Sequence, residues 1–126
     1  MWLSLISVFV GSGLGGVLRF LTAVLLQSSS FGGSRCTLPW STLLVNVAGC
    51  FIFGLVYGFA SQALLSKELK LALTTGFCGG LTTFSTFSYE IFEMFGNGRI
   101  CTGLAYAALS LCAGVAAAWC GYALSR

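Results

Sequence analysis

A cluster of hydroxyl and aromatic side chains lies in the middle of an apolar stretch that is long enough to cross a bilayer. Between residues 82 and 88 the chain carries five hydroxyl residues together with Phe84 and Phe87, just after the glycine pair Gly79-Gly80. Hydroxyl groups donate hydrogen bonds, and the edge of an aromatic ring is partially positive, so the combination suits contact with an anion. In hydrocarbon, broken helix is tolerated only inside protein or beside water. The cluster therefore predicts a binding site or a transport pathway, as in a channel or carrier.

The composition predicts an all-α integral membrane protein. Of the 126 residues, 57% are hydrophobic and 7% are charged, whereas soluble domains carry about 25% charged residues. Four apolar stretches are each long enough to span a bilayer as a helix: residues 2–26, 38–60, 69–95 and 100–124. We expect residues 1–126 to form a single domain of four transmembrane helices, the third of which is broken.

The residue counts disfavour several classes of function. The net charge of +3 is spread thinly, so we expect no nucleic-acid partner. The chain has no histidine and three acidic residues, and no nucleophile is paired with a base, so we expect no enzyme. The six cysteines show no CxxC spacing, which predicts packing residues and no zinc site.

The short connections predict antiparallel neighbouring helices, with both termini on one side of the membrane. The basic residues then divide evenly, three on the side of the termini and three toward the other side: Lys67, Lys70 and Arg126 against Arg19, Arg35 and Arg99. Orientation normally follows an excess of such residues on the cytoplasmic side. Two interpretations stay open: a fixed topology with a weak signal, or insertion in both orientations, which would permit an antiparallel dimer.

Two polar residues in the first two helices are further candidates. Asn46 is flanked by valines, with Thr42 one turn before it on the same face. Its NH2 group supplies two donors for an anion; alternatively it forms an interhelical hydrogen bond worth about 1 kcal/mol. Arg19 either raises the anion concentration at a pore mouth or extends to the membrane interface.

The third and fourth helices add donors and acceptors. The hydroxyls of Thr83 and Ser85 belong to the cluster, and the glycine pair predicts a loosened helix whose carbonyls, near Gly79 and Thr82, turn inward. Bare carbonyls suit a hard cation. In the fourth helix a narrow stripe recurs every four residues: Tyr106, Ser110 and Gly114.

The first helix matches a dinucleotide-binding pattern only formally. The run 11–16, GSGLGG, fits GxGxxG, but no strand precedes it and no acidic residue follows at the required distance. Gly11 and Gly15, like Gly54 and Gly58 in the second helix, form GxxxG, which predicts close helix packing.

Three runs of the sequence resemble the CrcB/Fluc family of fluoride channels: GGVLRF at 15–20, TLLVNVAG at 42–49 and GFCGGLTTFSTFS at 76–88. The resemblance implies a fluoride-selective channel of the bacterial inner membrane. Such a channel exports fluoride passively and protects the cell from fluoride toxicity. It also implies an antiparallel, dual-topology homodimer with two fluoride pores.

The resemblance assigns roles to individual residues. It implies a vestibule arginine, Arg19, and a structural sodium ion at the dimer centre, held by the main-chain carbonyls of Gly79 and Thr82. It implies that the pore is lined by residues of three helices: Asn46, Phe84, Phe87, Tyr106 and Ser110. The next position of the stripe is Gly114, where some relatives carry a hydroxyl. Glu90 resembles the acidic residue that ends the pore helix.

The alternative function is a small four-helix, proton-coupled multidrug exporter. Such a carrier needs a central carboxylate, typically in the first helix, which has none here, and Glu90 comes late in the third. A third interpretation, a membrane subunit without transport activity, leaves the hydroxyl and phenylalanine cluster unexplained.

Overall fold

The computed structural model describes residues 1–28 and 38–126, and the secondary structure of that part of the chain is helical throughout. Helix α1 is Trp2–Ser28, α2 is Trp40–Ser61, α4 is Phe84–Gly96 and α5 is Ile100–Ser125. Helix α3 is one rod made of three consecutive segments: Lys67–Leu71, the π-helical Ala72–Cys78, and Gly79–Leu81. Most of the connection between α1 and α2, with Arg35, lies outside the described residues.

Three of these helices are long and apolar enough to cross a membrane. They cover Trp2–Leu26, Trp40–Ser61 and Ile100–Ser125. The third predicted span corresponds to α3 and α4, which are joined through the extended pair Thr82-Thr83. Each of these two helices is shorter than the roughly 20 residues that a spanning helix needs.

Helix α1 packs closely against α3 through glycines on both helices. Side chains at Gly11 and Gly15 would collide with the carbonyls of Ala72 and Phe77, and one at Gly80 would collide with the Ser12 carbonyl. Such small-residue contacts let membrane helices approach backbone to backbone. The prediction that Gly11 and Gly15 serve helix packing is confirmed.

Helices α2 and α5 run parallel and in register. Gly54 contacts the backbone at Ala118, and one turn earlier a side chain added at Gly114 would lie 3.4 Å from the Cys50 Sγ. The contacts advance along both helices together, which fixes the parallel direction. The first halves of α2 and α5, which carry the polar residues, therefore face each other, with Thr42 level with Tyr106 and Asn46 level with Ser110.

Helix α4 closes this region by packing on the first half of α5. Leu43, Met94 and Tyr106 are buried at the junction, with Phe87 and Ile91 packed against them. Phe87, from the hydroxyl and phenylalanine cluster, thus lies where α2, α4 and α5 meet.

Candidate functional site

The break in the third span is an extended dipeptide. Thr82 has φ −79° and ψ 155°, and Thr83 has φ −145° and ψ 122°. The Thr83 Oγ1 caps α4 by accepting the Thr86 N–H at 3.3 Å. A threonine at this position is favoured because its hydroxyl satisfies a backbone donor that the new helix leaves free.

The break was predicted at the glycine pair, and that position is wrong by a few residues. Gly79 keeps helical angles, φ −63° and ψ −36°, and the helix continues to Leu81. Gly80 instead provides the space for α1, as described above. Close packing against α1 holds Gly80 in the helix, so the flexibility of the glycine pair does not decide where the helix breaks.

Asn46 binds the main chain of the break. Its Oδ1 accepts the Thr83 N–H at 2.8 Å, and its Nδ2 donates to the Thr83 carbonyl at 3.2 Å. The amide thus satisfies both backbone groups of a buried extended residue, which hydrocarbon would leave unpaired. The interhelical hydrogen bond predicted as one alternative is confirmed. One N–H of the NH2 group is left over after the bond to Thr83.

Glu90 joins all three helices of the junction. Its Oε1 accepts the hydroxyl of Thr42 at 2.6 Å, and its Oε2 accepts that of Tyr106 at 2.8 Å. The Tyr106 side chain is fully buried. Each carboxylate oxygen thus has a strong, charge-assisted donor, supplied by α2 on one side and α5 on the other.

Sequence reasoning left Thr42 and Glu90 out of the predicted pore set. The available signal was Thr42 one turn before Asn46, together with the carboxylate two turns after Thr83. To recognise that these residues form one network, one must know the register of α2 against α5, which places Thr42 and Tyr106 at the same level.

The aromatic residues form a short row that ends at the carboxylate. The ring centroids of Phe84 and Phe87 are 6.2 Å apart, and those of Phe87 and Tyr106 are 5.3 Å apart. Both pairs are tilted, at 45° and 55°, so ring edges are turned toward neighbouring faces. Phe87 packs in the core, whereas 80% of Phe84 is exposed in the single chain.

The predicted hydroxyl residues differ in their hydrogen bonding. Thr83 Oγ1 donates to Thr86 Oγ1 at 3.1 Å and lies 3.4 Å from the exposed Ser85 Oγ. Ser110 Oγ is buried and has no hydrogen-bond partner among the described residues. A buried hydroxyl without a partner is costly, and here it lies one turn beyond Tyr106 on α5.

The remaining predicted residues lie apart from this network. Arg19 is half-buried on α1, and no described contact joins it to Glu90 or Asn46. The Thr82 hydroxyl donates to the Cys78 carbonyl at 2.8 Å. The Thr82 carbonyl is therefore the oxygen of this residue that could still accept a bond. Gly79 is exposed, and its carbonyl loses its usual helical donor because the Thr83 N–H is bound by Asn46.

Comparison with known proteins adds to this geometry. Residues 6–122 match the model of the family described as CrcB-like protein, Camphor Resistance (CrcB). A curated relative from Flavobacterium psychrophilum, called fluoride-specific ion channel FluC, is 37% identical over 118 residues, 93% of this chain and 92% of its own length. Another of that name, from Leptospira interrogans, is 39% identical over 119 residues, 94% of this chain and 91% of its own. Fluoride-specific ion channel FluC 1 of Yersinia pestis is 44% identical over 101 residues, 79% of this chain and 76% of its own.

Proposed function

The chain belongs to the CrcB family, and we propose that it is a fluoride-selective channel through which fluoride leaves the cell passively. It is a multi-pass membrane protein, and we propose the bacterial inner membrane as its location, since the relatives named as channels are bacterial. The observation that carries the proposal is the junction of α2, α4 and α5, where hydroxyls, an amide and aromatic edges line up between apolar helices.

The junction offers fluoride a series of weak replacements for water. Fluoride is small and tightly hydrated, so each lost water must be replaced by a donor. The Ser110 hydroxyl has no partner in the described chain, and Asn46 keeps one N–H beyond its bond to Thr83. No described contact brings a basic side chain to these groups. Conduction requires sites weak enough to release the ion, and donors without a central cation meet that requirement.

We propose that α3 and α4 together cross the membrane as the third of four spans, and that a second copy covers their open side. Thr75, Gly79, Ser85 and Thr86 are exposed in the single chain, beside the extended backbone of the break. Irregular backbone and polar groups at membrane depth are not left facing lipid. An antiparallel homodimer would bury them, and the even division of basic residues supports insertion in both orientations.

The centre of such a dimer would suit a sodium ion. The Gly79 carbonyl has lost its helical donor, and the Thr82 carbonyl follows on the extended backbone. Two such carbonyls from each copy would give a hard cation the oxygen ligands it prefers. In this role sodium would neutralise the carbonyl dipoles and hold the two breaks together.

The direct test is fluoride efflux from liposomes containing the purified protein, followed with a fluoride electrode. We expect fast release when a potassium ionophore sets the membrane potential, and no chloride release under the same conditions. Well-folded protein without fluoride release would refute the channel. Release that depended on a proton gradient would favour the exporter, although Glu90 is already bonded by two hydroxyls.

A further inference from the structure

Two cations at the end of the molecule that carries the termini rest on a pair of tyrosine rings. The Lys70 Nζ lies 5.3 Å from the ring centroid of Tyr57, and the Arg126 guanidinium lies 5.9 Å from that of Tyr122. The two rings contact each other, with centroids 6.2 Å apart. We call these four residues the cation–tyrosine cluster. Cation–ring contacts at this distance are attractive and hold the two charges side by side.

Helix packing fixes the positions of the two tyrosines. The ends of α2 and α5 are tied where Gln62 Nε2 donates to the Ser125 carbonyl at 2.9 Å, and Gly58 lies against Ser125. Lys70 comes from a third element, the start of α3, whose first turn is capped by Ser66 accepting the Leu69 N–H at 3.2 Å. Three chain segments therefore converge on the cluster.

The cluster lies at the depth of lipid headgroups. Tyr57 is four residues before the end of the spanning helix α2, and Tyr122 is three before the end of α5. At 1.5 Å per residue, the rings lie about 5–6 Å inside the helix ends. Tyrosine is typical of this interfacial zone, so we expect the cations on the rings to lie within reach of lipid phosphates.

The charges at this end favour an anionic partner. Lys67, Lys70 and Arg126 stand against a single acidic residue, Glu68, and the described contacts of the two cluster cations are with rings. A Lys or Arg side chain that contacts a ring on one side still has N–H donors free to bind an anion on its other side. The planar guanidinium of arginine can donate two hydrogen bonds to the oxygens of a phosphate. Each such cation attracts an anionic leaflet by about 1 kcal/mol, or fivefold in affinity.

We propose that the cation–tyrosine cluster binds the headgroup phosphate of an anionic phospholipid in the leaflet on the side of the termini. The inference depends on the spanning helices and is independent of fluoride conduction. Its loss would therefore leave the proposed channel function untouched.

The test is native mass spectrometry of the protein in micelles that contain equal amounts of phosphatidylglycerol and phosphatidylcholine. We expect the first bound lipid to be phosphatidylglycerol, with a preference of about tenfold or more, since two cations contribute about fivefold each. The double variant Lys70→Gln, Arg126→Gln should bind phosphatidylglycerol and phosphatidylcholine with affinities that differ by no more than about twofold. Tyr57→Phe keeps the ring and should retain the preference, whereas Tyr57→Leu should weaken it.

Lys67→Gln is the matched control, because it removes the same charge three residues away without removing a described ring contact. It should leave the preference within about twofold of the unchanged protein. An equal loss in Lys67→Gln and Lys70→Gln would show diffuse attraction and overturn the proposal. Displacement of the lipid by excess inorganic phosphate at constant ionic strength would also overturn it, because the site would then bind free phosphate. Circular dichroism and gel filtration verify that each variant is folded.

Discussion

Replacement of Asn46 by leucine should weaken both the fold and fluoride conduction. The amide satisfies both backbone groups of Thr83, at 2.8 and 3.2 Å, and Thr83 is only 7% exposed. Leucine has the same branching and the same number of side-chain heavy atoms but offers neither a donor nor an acceptor. The extended residue at the break would therefore keep a buried N–H and a buried carbonyl without partners.

The magnitude follows from these two bonds. Side-chain hydrogen bonds between membrane helices average about 0.6 kcal/mol and reach about 1.7, while each orphaned buried group costs about 1–3 kcal/mol. For two bonds the ranges overlap near 2–3 kcal/mol, so we expect Asn46→Leu to lower the free energy of unfolding by about that amount. Fluoride efflux per folded protein should fall about tenfold or more, since each 1.4 kcal/mol lost at a barrier costs a factor of ten.

The assay is denaturant unfolding in micelles followed by circular dichroism, paired with liposome efflux. Asn97→Leu is the matched control: the same exchange at an exposed turn should change stability by less than about 0.5 kcal/mol. Asn46→Asp keeps the acceptor for the Thr83 N–H and loses the donor to its carbonyl, so it should fold better than Asn46→Leu while still conducting poorly. Unchanged stability and efflux in Asn46→Leu would refute the assigned role.

Four further substitutions test the rest of the site and the packing of α1 on α3. Phe87→Ile should reduce both efflux and stability, because this ring packs on Tyr106 with the centroids 5.3 Å apart. Phe84→Ile changes a side chain that is 80% exposed, so it should reduce efflux while the single-chain stability changes by less than about 0.5 kcal/mol. Tyr106→Phe removes a 2.8 Å donor from Glu90 and should cost about 1.5–3 kcal/mol of unfolding free energy, measured as above. Gly80→Val should separate α1 from α3 and lower the yield of folded protein on gel filtration, because its side chain would overlap the Ser12 carbonyl.

Each of these substitutions has a control in the same chain. Phe92→Ile changes a ring of α4 that is 71% exposed and lies off the Phe84–Phe87 face, so efflux should persist. Tyr89→Phe removes the hydroxyl of a 61% exposed side chain and should be neutral. Gly13→Val adds a side chain where the described chain leaves open space. Matching losses in a variant and its control would show that the effect is unspecific.

The sequence predicted the helices well because their physical signal is local. Long apolar runs with almost no charge can form only helices in a bilayer, and the GxxxG spacings of α1 and α2 predicted where helices approach each other. Arg35 lies outside the described residues, so that part of the charge division stays a prediction.

The position of the break could not be predicted because a residue on another helix determines it. Locally, Gly79-Gly80 is the weakest helical dipeptide of the segment, and Thr82-Thr83 carries no comparable signal. In the folded chain α1 packs against Gly80 and holds it in the helix, while Asn46 provides the hydrogen bonds that an extended Thr83 requires. Tertiary contacts thus reverse the local preference. The bonding of Glu90 escaped prediction for the same reason, since it depends on the register of α2 against α5.

The hydrogen bonds that hold the break also determine which donors remain for an ion. Asn46 gives its acceptor and one N–H to Thr83, and the hydroxyls of Thr42 and Tyr106 are given to Glu90. What remains at this level is the Ser110 hydroxyl and the second N–H of Asn46, both neutral and both on rigid helices. A donor fixed before the ion arrives needs little reorganisation to replace a water, and a neutral donor does not trap the ion as a buried cation would. In the proposed channel, the same network that lets an irregular backbone exist at membrane depth would keep the pathway polar enough for fluoride to enter and weak enough for it to leave.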